Sequence, residues 1–309
     1  MEPVNPDIIK AQINSLDEHL LFESSGYRAY LISASDAPDV VLELCRLREE
    51  TFRLVGEGTG NEIDTDIFDS YYKHMFLWNI SNEELVGAYR LGYGSEITKN
   101  HGGVNGFYTS TLIDYGENAC DMLSHCVELG RSFIIKKYQK EILPLKFLLA
   151  GLAISVTKDE NTDCVIGTVS ISAKMPERYM SMIAGLLSAR YGLEEKICSP
   201  RNPLKYSLTL CDEFRINNML NNIDDLDRFI FEQSKGEHRI PVLVKKYFNC
   251  GARVACFNVD EHFSNCTDAL IVLKLSDFPR NTLNSLLRML TEENKNKIFE
   301  QFYHVPHSI

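Results

Sequence analysis

The sequence contains no Cys-x-x-Cys, no His-Glu-x-x-His, no Gly-x-Ser-x-Gly and no His-x-x-x-x-Asp. The first two absences argue against a zinc ribbon and a zinc peptidase, and the third against a serine-hydrolase elbow. Nine cysteines, an odd number at irregular spacing, give no disulfide framework. Cys250, Cys256 and Cys266 are too loosely spaced for a metal knuckle, and no Cys-His-Asn signature surrounds the His125-Cys126 pair. The thiols read as reduced, mostly buried side chains of a cytosolic protein, and no metal is expected. Positive charge is scarce: 32 basic against 43 acidic residues leave a net charge of -11. A general nucleic-acid binder needs a basic face, so the charge argues against that class, although local basic clusters fit within an acidic whole. No long apolar run is present; the most apolar stretch, 147–156, is too short to cross a bilayer. Met1 to Lys10 carries Glu2, Asp7 and two prolines in place of a signal-peptide core. A soluble cytoplasmic protein follows as the expectation, peripheral to the inner membrane face at most.

What is present is a substantial core, with 44% apolar residues over 309 positions. Tyr27 to Ser33 alternates like a strand. Ser35, Asp36 and Pro38 then open a helix, and Val40, Val41, Leu44, Leu47 and Thr51 carry it to about Leu54. A glycine-rich acidic loop follows. Lys73 to Ile80 and Glu84 to Gly92 form a hairpin across Ser81-Asn82-Glu83. Residues 93–120 are irregular. Further strands are expected at 125–134, 163–172, 205–210, 252–258 and 269–275. Further helices are expected along Leu145, Leu148, Leu149, Leu152 and Val156, over 176–191, near 222–234 and 239–249, and from Pro279. The pattern is α+β, a mixed sheet with helices on its faces.

The candidate chemistry lies in charges that interrupt apolar elements. Glu128 and Arg131 stand in Val127-Glu128-Leu129-Gly130-Arg131-Ser132-Phe133-Ile134, and Arg90 in Val86-Gly87-Ala88-Tyr89-Arg90-Leu91. An unpaired charge on a core strand is costly, so these residues are either paired structurally or functional. Three positions apart, Glu128 and Arg131 point to opposite faces unless a bulge near Gly130 brings them together. Arg48, Asp66 and Asp69 join the set. Asp64, Asp66 and Asp69 open like a calcium loop, but Asp69 and Met75 stand where its glycine and glutamate belong. They read either as solvated loop acids or as carboxylates for a substrate amine or an arginine. Gly56, Gly58 and Gly60 follow a helix and precede an acidic loop, which suits a flexible loop better than a phosphate cradle. Lys136, Lys137 and Lys140, and Lys245 with Lys246, are solvated faces or docking patches for an acidic partner.

These residues resemble a known family. Leu47-Arg48-Glu49-Glu50-Thr51-Phe52-Arg53, Gly56-Glu57-Gly58-Thr59-Gly60, Asp66, Phe68-Asp69, Leu85-Val86-Gly87-Ala88-Tyr89-Arg90-Leu91-Gly92 and Glu128-Leu129-Gly130-Arg131-Ser132-Phe133 are similar to the GNAT-like acyltransferases of ornithine and glycine lipid synthesis, often called haemolysin-like. Arg239-Ile240-Pro241-Val242-Leu243 through Phe257-Asn258-Val259-Asp260 extends the likeness, which spans roughly residues 20 to 280. The likeness is greatest to the C-terminal half of bifunctional synthases, whose other half carries the His-x-x-x-x-Asp motif missing here, so O-acylation is not expected. A more distant likeness is to acyl-homoserine-lactone synthases, through Arg48 and Phe52, Asp66 and Asp69, Arg90, and Glu128 and Arg131; their loop tryptophan has no counterpart, since the single Trp78 lies on the next strand.

The resemblance implies a GNAT-like core over 21–215, an N-terminal segment over 1–20 and a C-terminal α/β extension over 216–309. It implies transfer of a (3-hydroxy)fatty acyl group to the amino group of ornithine or glycine, the first step of aminolipid synthesis. The glycines of the usual coenzyme A turn are replaced by Lys136-Lys137-Tyr138-Gln139-Lys140. That favours donation from acyl carrier protein, docked at Lys136, Lys137 and Lys140, with acyl-phosphopantetheine as donor and no separate cofactor. In this reading Glu128, Arg131 and Asp66 are catalytic, Glu128 being the general base. Arg48, Phe52, Asp69, Arg90, Ser132 and Phe133 bind substrate, with amides of 132–134 facing the thioester oxygen. A separate O-acyltransferase would complete a diacylated lipid. The alternatives are a lactone synthase using S-adenosylmethionine and a non-catalytic acyl-carrier or lipid-binding module.

Overall fold

The computed structural model describes residues 2–304. Among the described residues ten strands form in chain order: β1 Leu20–Ser24, β2 Tyr27–Ile32, β3 Lys73–Asn79, β4 Glu84–Tyr93, β5 Ile113–Tyr115, β6 Cys126–Ile134, β7 Cys164–Ile171, β8 Cys198–Pro200, β9 Arg253–Asp260 and β10 Cys266–Lys274. Eleven helices accompany them among the described residues: α1 Pro6–Ile13, α2 Pro38–Val55, α3 Gly94–Asn100, α4 Cys120–Ser124, α5 Ile142–Val156, α6 Glu177–Tyr191, α7 Leu210–Asn218, α8 Ile223–Gln233, α9 Val242–Asn249, α10 Arg280–Leu286 and α11 Glu292–His304. Eight strands make one sheet in the order β1-β2-β3-β4-β6-β7-β10-β9, and β5 pairs with β8 apart from it. Every neighbour in the large sheet is antiparallel except β6 and β7, which run parallel.

The elements form for local reasons. Pro38 pre-sets the first turn of α2, and Val40, Val41, Leu44 and Cys45 bury one stripe against Ile32, Phe76, Trp78 and Ala88. Gly56 ends the helix with φ +81°, a left-handed cap that other residues adopt at a cost. On the opposite face of the sheet, α5 buries Phe147, Leu148, Ala150 and Leu152 against Met75, Leu77, Tyr89 and Val127. α6, α8 and α9 cover Val169, Ile171, Ala269 and Ile271 on that same side of the sheet. None of the described helices is long and apolar enough to cross a membrane.

Three findings differ from the sequence expectation. Residues 205–210 form no strand. The outer edge of β9 is met earlier, by Asn202, Pro203 and Leu204, and α7 begins at Leu210. α1, β1, α7 and α11 also form without having been expected. Finally, β9 and β10, from the expected C-terminal extension, continue the same sheet as β7.

The parallel ladder is short. It joins Cys126 to Cys164, Val127 to Val165 and Glu128 to Ile166, then stops. Beyond it β6 stays with β4 and β7 with β10. Two strand edges therefore part beyond Glu128, leaving a wedge whose backbone groups are not paired across it.

Candidate functional site

The site is built on the α2 side of the sheet, beside this wedge. Register puts His74 of β3, Arg90 of β4 and Gly130 of β6 in a row, with Gly92 opposite Glu128 one step along. The Arg90 side chain is only 2% exposed. A buried guanidinium requires carboxylates, and the loop after α2 supplies them. Asp66 caps the turn Ile67–Ser70, accepting from the Phe68 amide at 2.9 Å, while Asp69 accepts from the Asp66 amide at 2.9 Å. The same two side chains hold arginines. Arg90 Nη1 lies 2.5 Å from Asp66 Oδ1 and 3.0 Å from Asp69 Oδ1. Arg48, from α2, donates to both Asp69 oxygens at 3.2 and 3.1 Å and meets Asp64 Oδ2 at 2.8 Å. Arg131 meets Asp64 Oδ2 at 3.1 Å and Asp66 Oδ2 at 3.5 Å. Three arginines and three aspartates thus interlock. Only Asp66 and Arg131, with side chains 23% and 12% exposed, keep appreciable contact with solvent.

Aromatic rings close the network. Phe68, Tyr72 and Tyr108 surround the Arg90 guanidinium at 5.7, 5.4 and 5.3 Å, and Arg131 lies over Tyr108 and Phe263 at 4.7 and 5.3 Å. Arg131 also donates to the Tyr108 hydroxyl at 3.1 Å. Burial works against charge on Asp69, but Arg48 and Arg90 hold its carboxyl well below the usual range. Burial drives His74 down to about 4, with Asp69 opposing. It is neutral at pH 7, and its Nε2 lies 3.1 Å from the Asp69 carbonyl, which assigns the proton to that nitrogen.

Glu128 and Arg131 are not paired. β6 is bulged beside Gly130, where Ala88 and Arg90 face Phe133 and Gly130, and Arg131 takes φ +52°. The bulge turns Arg131 to the aspartates. Glu128 turns instead to the loop before β5. It accepts from the Tyr72 hydroxyl, from the Tyr108 amide at 2.9 Å and from the Thr109 amide at 2.8 Å. Arg48 and Asp69 are consumed by their partners. Phe133 lies in the core under α2, and Phe52 packs edge-on against Phe263 at 5.3 Å. Ser132 is beside the Tyr89 and Tyr247 hydroxyls, which are 2.9 Å apart. Lys136, Lys137 and Lys140 are exposed past the end of β6; Lys137 pairs with Glu84. Next to them Ile142, at the start of α5, is also exposed. No group of three or more potential metal ligands occurs among the described residues.

Sequence reasoning missed the structural weight of Tyr72, Tyr108 and Phe263, and of Asp64 as the shared partner of two arginines. It also missed Asp268 and Glu57. Asp268 stands on an apolar strand much as Glu128 does, but the strand was expected to begin at Ala269 and excluded it.

The chain matches the model of the acetyltransferase (GNAT) domain over residues 47–148, which includes Arg48, Asp66, Asp69, Arg90, Glu128 and Arg131. It is 29% identical over 273 residues to a glycine N(alpha)-acyltransferase of Phocaeicola vulgatus, covering 82% of this chain and 81% of the relative. It is 26% identical over 249 residues to an L-ornithine N(alpha)-acyltransferase of Agrobacterium fabrum, covering 78% and 77%. Among solved structures, the CoA-dependent acyl-homoserine lactone synthase BjaI aligns over 89% of this chain and 99% of its own, at TM-score 0.43 and 11% identity. With its GNAT domain and its similarity to these N-acyltransferases over about four fifths of its length, the chain is a GNAT-like acyltransferase.

Proposed function

We propose that this acyltransferase moves a (3-hydroxy)fatty acyl group from acyl carrier protein to the α-amino group of a glycine- or ornithine-type amino acid, the first step of aminolipid synthesis in the cytoplasm. The observation that carries this reading is Arg131 at the open end of the network, beside the wedge between β6 and β7. The wedge offers unpaired strand amides to an extended thioester arm and, around 132–134, to the oxygen of its carbonyl. The partly exposed Arg131 guanidinium suits the amino-acid carboxylate, because a planar fork matches a carboxylate in two-point contact. Arg48, Asp64, Asp69 and Arg90 are the rigid frame that holds Arg131 and Asp66. Glu128 is a positioning residue that ties the 108–109 backbone to β6.

The donor reading rests on the strip Lys136, Lys140 and Ile142, basic and apolar together, past the end of β6. It suits the acidic surface of a carrier protein, with a membrane surface as a secondary contact. The test is incubation of the purified chain with acyl carrier protein or coenzyme A thioesters and a panel of amino acids. A mono-N-acyl amino acid made faster from the carrier protein supports the reading, and faster turnover with coenzyme A refutes the donor assignment.

A further inference from the structure

The wedge has a second wall. Glu128 pairs with Ile166 in the parallel ladder, so Ile166, Thr168 and Ser170 share the face that carries Arg90 and Glu128. Ser170 lies opposite Asp268, which in turn lies opposite Asn258. Asp268 therefore stands on the active face, on the strand just behind the wedge's second wall, across from Arg131 and at similar height along the strands. It is 3% exposed and has no basic side chain within ion-pair distance among the described residues. Its Oδ1 accepts from the Ser170 hydroxyl at 2.6 Å and faces the Cys266 thiol at 3.6 Å; no donor among the described residues reaches Oδ2. Arg131 and Asp268 sense each other's charge without forming an ion pair. A positive and a negative group held apart across a wedge match the carboxylate and ammonium of a zwitterion.

We propose that Asp268 is the general base of the acyl transfer, receiving the substrate ammonium across the wedge from Arg131; this rests on the amino-acid acyltransferase reading above. Asp268 takes one proton from the ammonium and later releases it to solvent. The freed nitrogen lone pair attacks the thioester carbon, the C–N bond forms, and the C–S bond breaks with its electron pair on sulfur. The second N–H proton goes to the departing thiolate, leaving amide and thiol. The alternative base, Glu128, already holds three donors. The electrostatics suit the role: burial, opposed by the Ser170 hydrogen bond and aided by Asp260, pushes the Asp268 carboxyl up to about 6. Glu57, on the loop after α2, is pushed up to about 7 by burial and by Asp268. The groups facing Asp268 are thus Ser170 from β7, Cys266 on its own strand, Asp260 from β9, Glu57 from that loop and Arg131 from β6; Tyr108, in the loop before β5, also senses its charge. A carboxyl raised in this way is a base above about pH 6 and loses that capacity below it.

The test is the pH dependence of kcat/KM, read beside urea unfolding, for the wild type and for Asp268→Asn, Asp268→Glu, Ser170→Ala and Glu128→Gln. Asp268→Asn should lose ~10²–10⁴-fold in kcat and the acid limb near pH 6, with its urea midpoint held or raised. Asp268→Glu should restore part of the rate. Ser170→Ala should move the limb to higher pH, since the hydroxyl stabilises the carboxylate, and this variant covers the case in which Asp268→Asn misfolds. Glu128→Gln should keep the limb. An Asp268→Asn enzyme within threefold of wild type, or a limb unmoved by Ser170→Ala, overturns the assignment while the function reading stands. Absence of wild-type transfer to any amino acid overturns both.

Discussion

Replacing Asp69 with alanine tests whether the arginine–aspartate frame holds the site together. The Asp69 carboxylate accepts two hydrogen bonds from Arg48, lies 3.0 Å from Arg90 Nη1 and caps the Asp66 amide. Removing one partner of a buried pair costs about 3–5 kcal/mol, because a charge is left buried without compensation. Arg48 retains Asp64 and Arg90 retains Asp66, so the lower end, ~3 kcal/mol, applies. For a chain of 309 residues that is a fall in Tm of roughly 5 °C. The pH dependence adds a sign. Asp69 has a folded pKa below its unfolded value, so its contribution is present above the unfolded value, about 4, and is lost as pH falls through the folded one. Urea unfolding of wild type and Asp69→Ala from pH 7 downward should show the full gap near neutrality and a narrowing gap below about pH 4. A gap under about 1 kcal/mol at pH 7, or one constant with pH, refutes the reasoning.

Other outcomes follow from single contacts. Arg131→Lys loses the planar fork and should raise KM for the amino acid roughly 10–150-fold, about 1.5–3 kcal/mol, with a smaller effect on KM for the acyl donor; equal effects on both would contradict the carboxylate assignment. Glu128→Gln keeps an oxygen toward one of the Tyr108 and Thr109 amides but turns its NH₂ toward the other, and should destabilise by about 1–3 kcal/mol in urea titration; an unchanged midpoint would remove its positioning role. Charge reversal at Lys136 and Lys140 should raise KM for acyl carrier protein roughly tenfold or more at low salt and flatten its salt dependence, and an unchanged KM would place docking elsewhere.

Much of this site was legible because a charge on an apolar element is a conspicuous expense. Arg90 in β4, Arg131 in β6 and Arg48 on the inner stripe of α2 stand out in that way, and the structure places them in one cluster with Asp66 and Asp69. The hairpin of β3 and β4 followed from alternation around a short turn. What escaped depends on non-local geometry. The direction of Glu128 is set by a bulge that moves Arg131, not by spacing along the strand. Tyr72 and Tyr108 resemble any core aromatic until the sheet brings Arg90 between them. Asp268 was hidden by a strand boundary misplaced by three residues, and its relation to the wedge depends on β10 pairing with β7 across nearly a hundred residues of sequence. The 205–210 segment alternates, but the β9 edge it would need is already met by 202–204.

The most direct test of the account is mass spectrometry of the product made by purified chain from acyl carrier protein loaded with a 3-hydroxyacyl group, offered glycine, ornithine and S-adenosylmethionine together. The account predicts one amide-linked acyl group on the α-nitrogen of glycine or ornithine and free carrier thiol in equal amount. A diacylated lipid, a lactone released from S-adenosylmethionine, or thiol release without an amide product would contradict it.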